Sequence, residues 1–123
     1  MTISFLQATK AAHAGGALPF LAYRLSEIAQ ENRVTSLTAE EVMEDLRSLY
    51  YDVALSTTPA VFAMLKETVG VDRLLFGSDI PLRRAEHIVP TLAVIQHYDG
   101  FSAGERTLML SGNAQKLFPR FFN

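Results

Sequence analysis

Cysteine is absent from the 123-residue chain, which excludes disulfides, thiolate metal centres and a cysteine nucleophile at once. No run approaches the ~20 consecutive apolar residues of a membrane span, and the first residues lack a basic segment followed by an apolar stretch and a cleavage site. The expectation is therefore a soluble, cytoplasmic protein with no membrane partner. Positive charge is not in excess either. Eleven basic residues face thirteen acidic ones for a net charge of −2, with no basic cluster beyond Arg83-Arg84, so the electrostatic footprint of a nucleic-acid binder is missing. What is present is a 49% hydrophobic composition with a mean hydropathy of +0.15, high for one small domain that must keep much of its surface wet. Some apolar surface is expected to meet a partner chain.

The length fits a single domain over residues 1–123. At the start, Ile3 to Leu6 has the residues of a short strand, whereas Gln7 to Ala12, QATKAA, has helical propensity. Gly15 and Gly16 break regularity, and Pro19 suits the first turn of a helix over Leu18 to Gln30, with Leu18, Leu21, Leu25 and Ile28 at helical spacing. Thr38-Ala-Glu-Glu41 is a capping box opening a short helix to about Arg47. LYYDVAL, Leu49 to Leu55, reads as a strand buried in a parallel sheet. Thr58-Pro59 starts a helix with an apolar stripe at Val61, Phe62, Leu65 and Val69, and Gly70 ends it. Arg73 to Phe76, RLLF, reads as another strand. This strand-helix-strand order is a βαβ unit, so the two strands should run parallel and share one C-terminal rim. A helix from Glu86 or Pro90 to Tyr98, a second capping box at Ser102 to Glu105 opening a helix to Leu110, and a last helical turn at Asn113 to Phe118 complete an α/β pattern.

Asp79 is the sharpest candidate for chemistry. It follows four residues of apolar strand across Gly77, at the end where parallel α/β folds build their sites; the bland alternative is a cap on the following turn. His13 precedes the glycines and a helix start, a setting for a base or an anion contact, or for an exposed loop histidine. Asp52 lies inside a strand, where a carboxylate needs a partner such as Arg24 or Arg73 or a polar cavity. Arg24, on the helix after the glycines, is a candidate substrate-carboxylate contact by position, against a solvated or structural arginine. His87 and His97 fit a solvated helix face. Ser78 lacks nucleophile-elbow spacing.

Taken together, HAGGALPFLAYRL, YYDVAL, VGVDRLLFGSDIP and GNAQKLF resemble, in order, the C-terminal portion of the amidohydrolase-related branch of the amidohydrolase superfamily, the group that includes aminocarboxymuconate-semialdehyde decarboxylase. The resemblance implies a TIM barrel, here a partial one. It implies a catalytic divalent metal, commonly zinc, with Asp79 as the metal ligand after the last strand, and His13 as the acid/base after the sixth. The implied activity is metal-dependent hydrolysis or decarboxylation of a small carboxylated substrate. A catalytic zinc usually has three protein ligands and an open position, and the family's front half with its paired histidines is not in this sequence. The QATKAA stretch also departs from the β-rich strand that the family places before its histidine, so residues 1–12 are expected to be a non-native start.

A few strands of an unclosed barrel leave open edges and an apolar face. The expectation is a homo-oligomer burying Tyr50, Val53, Leu55, Leu74 and Phe76. Three functions follow: a metal-dependent enzyme or its remnant, inactive as this chain alone; a non-catalytic oligomerising or binding module; or a small anion-binding protein using Gly15 and Gly16.

Overall fold

The computed structural model describes residues 10–31 and 35–122. The reading of Ile3 to Leu6 as a strand lies outside them. Three short strands, β1 (Lys10–Ala11), β2 (Tyr50–Asp52) and β3 (Leu74–Leu75), form one sheet in the order β1-β2-β3. Both pairings are parallel, with Lys10 opposite Tyr50, Tyr51 opposite Leu74 and Asp52 opposite Leu75. The expected βαβ unit is thus present, and a further parallel strand precedes it. Helical propensity had assigned Lys10 and Ala11 to a helix. Ladder hydrogen bonds to β2 override that weak local preference, because propensity is worth only a few tenths of a kcal/mol per residue.

The helices are α1 (Leu18–Glu31), α2 (Ala39–Ser48), α3 (Pro59–Thr68), α4 (Ile88–His97), α5 (Ala103–Thr107) and α6 (Asn113–Leu117). Their starts follow the expected chemistry. The Thr38 and Ser102 hydroxyls accept the N–H groups of Glu41 and Glu105, whose carboxylates accept the N–H groups of Thr38 and Ser102 in return. Thr58 caps α3, with Pro59 in its first turn.

Between α5 and α6 the expected break is absent. A π-helical turn, Leu108–Gly112, joins them, and the Met109 carbonyl accepts the Phe76 N–H at 2.9 Å. From the start of α6, the buried Asn113 Nδ2 donates to the carbonyls of Val71 and Leu74, each at 2.8 Å. The C-terminal helices therefore clamp β3 at both ends.

Side-chain alternation on β2 divides the two faces of the sheet. Tyr51 and Val53 join Phe62, Leu65, Leu74, Ile95, Phe101 and Met109 in the core, all essentially solvent-free. Phe62, Tyr98 and Phe101 pack ring against ring at 4.8–5.3 Å. The face expected to be buried between copies is corrected here: Val53 and Leu74 are already covered by the chain's own helices, and of the five residues only Leu55 is well exposed. Large apolar side chains do reach solvent elsewhere, at Phe20, Tyr23, Leu82 and Val89. Among the described residues no helix is long and apolar enough to cross a membrane.

Candidate active site

Asp52 alternates to the opposite face from Tyr51. Beside it, at the C-terminal ends of the strands, lies a cavity of ≈ 290 Å³ lined by Lys10, Ala12, His13, Asp52, Ala54, Gly77, Ser78 and Asp79. This is near the small end of ligand pockets, roughly 300–1,000 Å³. The turns after all three strands contribute, and the two sharpest candidates from the sequence meet here: His13 Nε2 stands 4.0 Å from Asp79 Oδ1.

The histidine is held at its backbone and at its ring. Its backbone N–H donates to Asp52 Oδ1 at 3.2 Å. Its ring Nδ1 stands 3.1 Å from the Ala54 carbonyl oxygen, which can only accept, so Nδ1 carries the proton. The neutral ring then presents the Nε2 lone pair to the side where Asp79 sits. Gly15 completes the turn with an N–H bond to the Ala12 carbonyl. Its φ of +76° and the Tyr51 ring, 2.8 Å from where a Cβ would stand, both require glycine.

Left-handed backbone concentrates around this rim. His13, Ala14, Leu55 and Asp79 have φ of 52–61°, a conformation that costs an L-residue roughly 1–2 kcal/mol. Such strain gathers where function fixes geometry. Among the described residues the Asp79 carboxylate has His13 as its charged neighbour.

Asp52 does have a partner, but neither Arg24 nor Arg73. Lys10 Nζ lies 3.0 Å from Asp52 Oδ2, while Arg73 stacks over the Tyr50 ring at 4.9 Å. Arg24 is exposed on α1 and lies outside the cavity lining, whose cation is Lys10. No sequence motif marked Lys10; only the pairing of β1 with β2 brings it beside Asp52. Gly77 has a packing role. A Cβ there would stand 3.2 Å from Asp52 Oδ1 and 3.2 Å from Ala54 Cβ, so its lack of a side chain makes room for the carboxylate. Ser78 Oγ accepts the Ile80 N–H at 3.4 Å. His97 bonds within its own helix and His87 lies beside Glu86, as a solvated face predicts.

For a metal ion, Asp79 and His13 are the groups among the described residues with uncommitted donor atoms at the cavity. Asp52 is committed to two N–H groups and an ammonium. Among the described residues no cluster of three or more ligating side chains exists, so they do not compose a metal site by themselves.

Comparison with known proteins agrees with this architecture. The family model described as Amidohydrolase matches residues 11–120. A 6-methylsalicylic acid decarboxylase of Penicillium expansum is 34% identical over 109 residues, covering 88% of this chain and 33% of that protein. The decarboxylase macB of Penicillium terrestre is 32% identical over 112 residues, covering 89% and 33%. The chain thus spans about a third of the length of these relatives. Among solved structures, 5-carboxyvanillate decarboxylase from Sphingomonas paucimobilis superposes with a TM-score of 0.74 at 17% identity, over 89% of this chain and 33% of that one. A dihydroxybenzoic acid decarboxylase from Polaromonas sp. JS666, solved with bound manganese, gives 0.71 at 19%, again over 89% and 33%.

Proposed function

We propose, because this chain belongs to the amidohydrolase family, that it contributes the C-terminal βα units of a metal-dependent barrel that decarboxylates small carboxylated aromatic substrates. The substrate class comes from the relatives, two of which are named for 6-methylsalicylic acid and others for dihydroxybenzoic acid and carboxyvanillate. The observation that carries the reading is the meeting of His13 Nε2 and Asp79 Oδ1 in one rim cavity.

In this reading His13 is the proton-transfer group. Loss of carbon dioxide from an aromatic acid breaks a carbon–carbon bond and requires one proton at the ring carbon left behind. An imidazole whose Nε2 faces the cavity can take up a proton there and deliver it. The same lone pair would take a proton from water if the reaction were hydrolytic. Asp79 is the proposed ligand for a divalent metal, manganese or zinc, with the remaining ligands lying outside this chain's described residues.

Elemental analysis and a carbon dioxide release assay test this together. The chain alone should retain no stoichiometric manganese or zinc and turn over no substrate. Supplied with the front barrel units of a related decarboxylase, it should gain both, and Asp79→Asn should abolish metal retention while His13→Gln abolishes turnover alone. Retention unaffected by Asp79→Asn would remove the reading.

A second reading is a non-catalytic oligomerising module. The exposure of Phe20 at 79% and Tyr23 at 72% favours it, and a complemented chain that neither holds metal nor reacts would select it.

A further inference from the structure

We infer that Asp52 is the positioning residue for His13, with Lys10 holding it in register. The inference rests on the reading of His13 as the proton-transfer group, and it assigns a purpose to the pairing of buried Asp52 with half-exposed Lys10 in the cavity wall.

Asp52 stands on the middle strand, its side chain only 7% exposed. One of its oxygens, Oδ1, accepts the N–H of His13 at 3.2 Å and the N–H of Ala54 at 3.1 Å. The Ala54 carbonyl is the group that faces His13 Nδ1. A single carboxylate oxygen therefore fixes both ends of the contact that orients the imidazole: the backbone bearing the ring and the residue receiving its proton. The other oxygen, Oδ2, faces Lys10 Nζ at 3.0 Å.

The local backbone makes such a clamp necessary. His13 and Ala14 are consecutive residues at φ of 52° and 56°, and neither has glycine's freedom there. The turn persists because the His13 N–H meets a full negative charge instead of water, a bond stronger than one between neutral groups. Gly77 supplies the space, since Asp52 Oδ1 lies where its Cβ would otherwise press. An ordinary surface ion pair would show none of this convergence. Lys10 serves by holding Oδ2, so that Oδ1 is left to the two N–H groups. With Nδ1 fixed as donor, the neutral ring has one tautomer available, and its Nε2 lone pair is committed to the cavity.

Long-range proton–nitrogen correlation spectra of the ring nitrogens, taken on the intact chain at alkaline pH, read this directly. In the unaltered chain His13 should show the single pattern of a ring protonated at Nδ1; a mixed-tautomer pattern overturns the inference outright. Asp52→Asn turns an amide NH₂ toward the Lys10 ammonium, donor against donor. It should collapse the Nδ1-protonated signal into the averaged shifts of two exchanging tautomers. Adding Lys10→Met removes the opposing ammonium and should restore the single pattern, because the asparagine oxygen can then accept both N–H groups.

A folded Asp52→Asn variant with an unchanged His13 pattern overturns the inference, and so does a folded double variant whose ring stays mixed. Should the single variant fail to fold, the double variant decides alone. None of these spectra depends on turnover. A complemented chain without decarboxylase activity but with the single tautomer intact would therefore sink the functional reading and leave the positioning role standing.

Discussion

The close approach of Gly77 to Asp52 gives one side chain's absence a measurable value. An added methyl would press on the carboxylate oxygen and on Ala54 Cβ, both at 3.2 Å, and neither can retreat without breaking a hydrogen bond or entering the packed sheet. Gly77→Ala should cost about 1–3 kcal/mol, the range for overpacking a filled site, in urea unfolding. It should also shift the His13 amide resonance, because that N–H is bonded to the displaced oxygen. Tyr51 makes a second case. Its ring is fully buried and its hydroxyl donates to the Leu46 carbonyl at 2.7 Å. Burial raises its pKa above the usual 10.0. With the folded value above the unfolded one, the contribution to stability is intact below pH ~10 and is lost as pH rises through the folded value. Tyr51→Phe should remove that alkaline loss while lowering stability by about 1 kcal/mol at neutral pH for the missing bond. Thermal melts across the alkaline range distinguish the two effects. The meeting of Asp79 and His13 in one cavity joins two residues that the sequence singles out locally, Asp79 after an apolar strand and Gly77, and His13 before two glycines and a helix start. Nothing local marks Lys10, since a lysine in a stretch of helical propensity carries no sign of the strand, two helices later, that supplies its partner.

Helix starts were the most legible elements, since capping depends on residues three apart and needs no knowledge of the fold. Both capping boxes form as read. In Glu41 the N–H and hydroxyl of Thr38 hold the carboxyl below its usual 4.5; in Glu105 the N–H of Ser102 and then Lys66 do so. A folded value below the unfolded one gives stability that is present above pH ~4.5 and lost as pH falls through the folded value. Glu41→Gln and Glu105→Gln should each make the melting temperature less steep on the acid side, as followed by circular dichroism. Ser102→Ala should cost about 1 kcal/mol at neutral pH. The ends of elements were less legible. The π turn at Leu108–Gly112 and the clamp from Asn113 arise from tertiary hydrogen bonds to β3, and local pattern contains neither. Asn113 stood within a quoted motif without a role; its amide satisfies two carbonyls. Asn113→Ala should cost about 1–3 kcal/mol, because the Leu74 carbonyl would lose this donor in the interior, while the Val71 carbonyl keeps the N–H of Leu74.

The sheet order places β1 and β3 at the edges and β2 between them. Much of the exposed apolar surface follows these edge strands in the chain. Phe20 and Tyr23 lie on the helix after β1, while Ile80 and Leu82 lie in the turn after β3, with Leu82 at 88% exposure. A closed barrel would continue from both edges, and the relatives are about three times as long as the segment they share with this chain. Open parallel edges flanked by apolar side chains are templates for association. Without the other barrel units, the isolated chain is therefore expected to associate through α1 and the edges, in place of the strand face that its own helices already cover. Sedimentation equilibrium should show a mass that rises with protein concentration. Phe20→Ser with Tyr23→Ser should return it toward the monomer with no loss of melting temperature, since both side chains reach solvent and support no core packing. Addition of the front barrel units should compete with self-association, because both would occupy the same edges. A monomer at every concentration would show instead that the exposed groups are tolerated singly, as scattered surface apolar residues are, and would leave the edges without a partner.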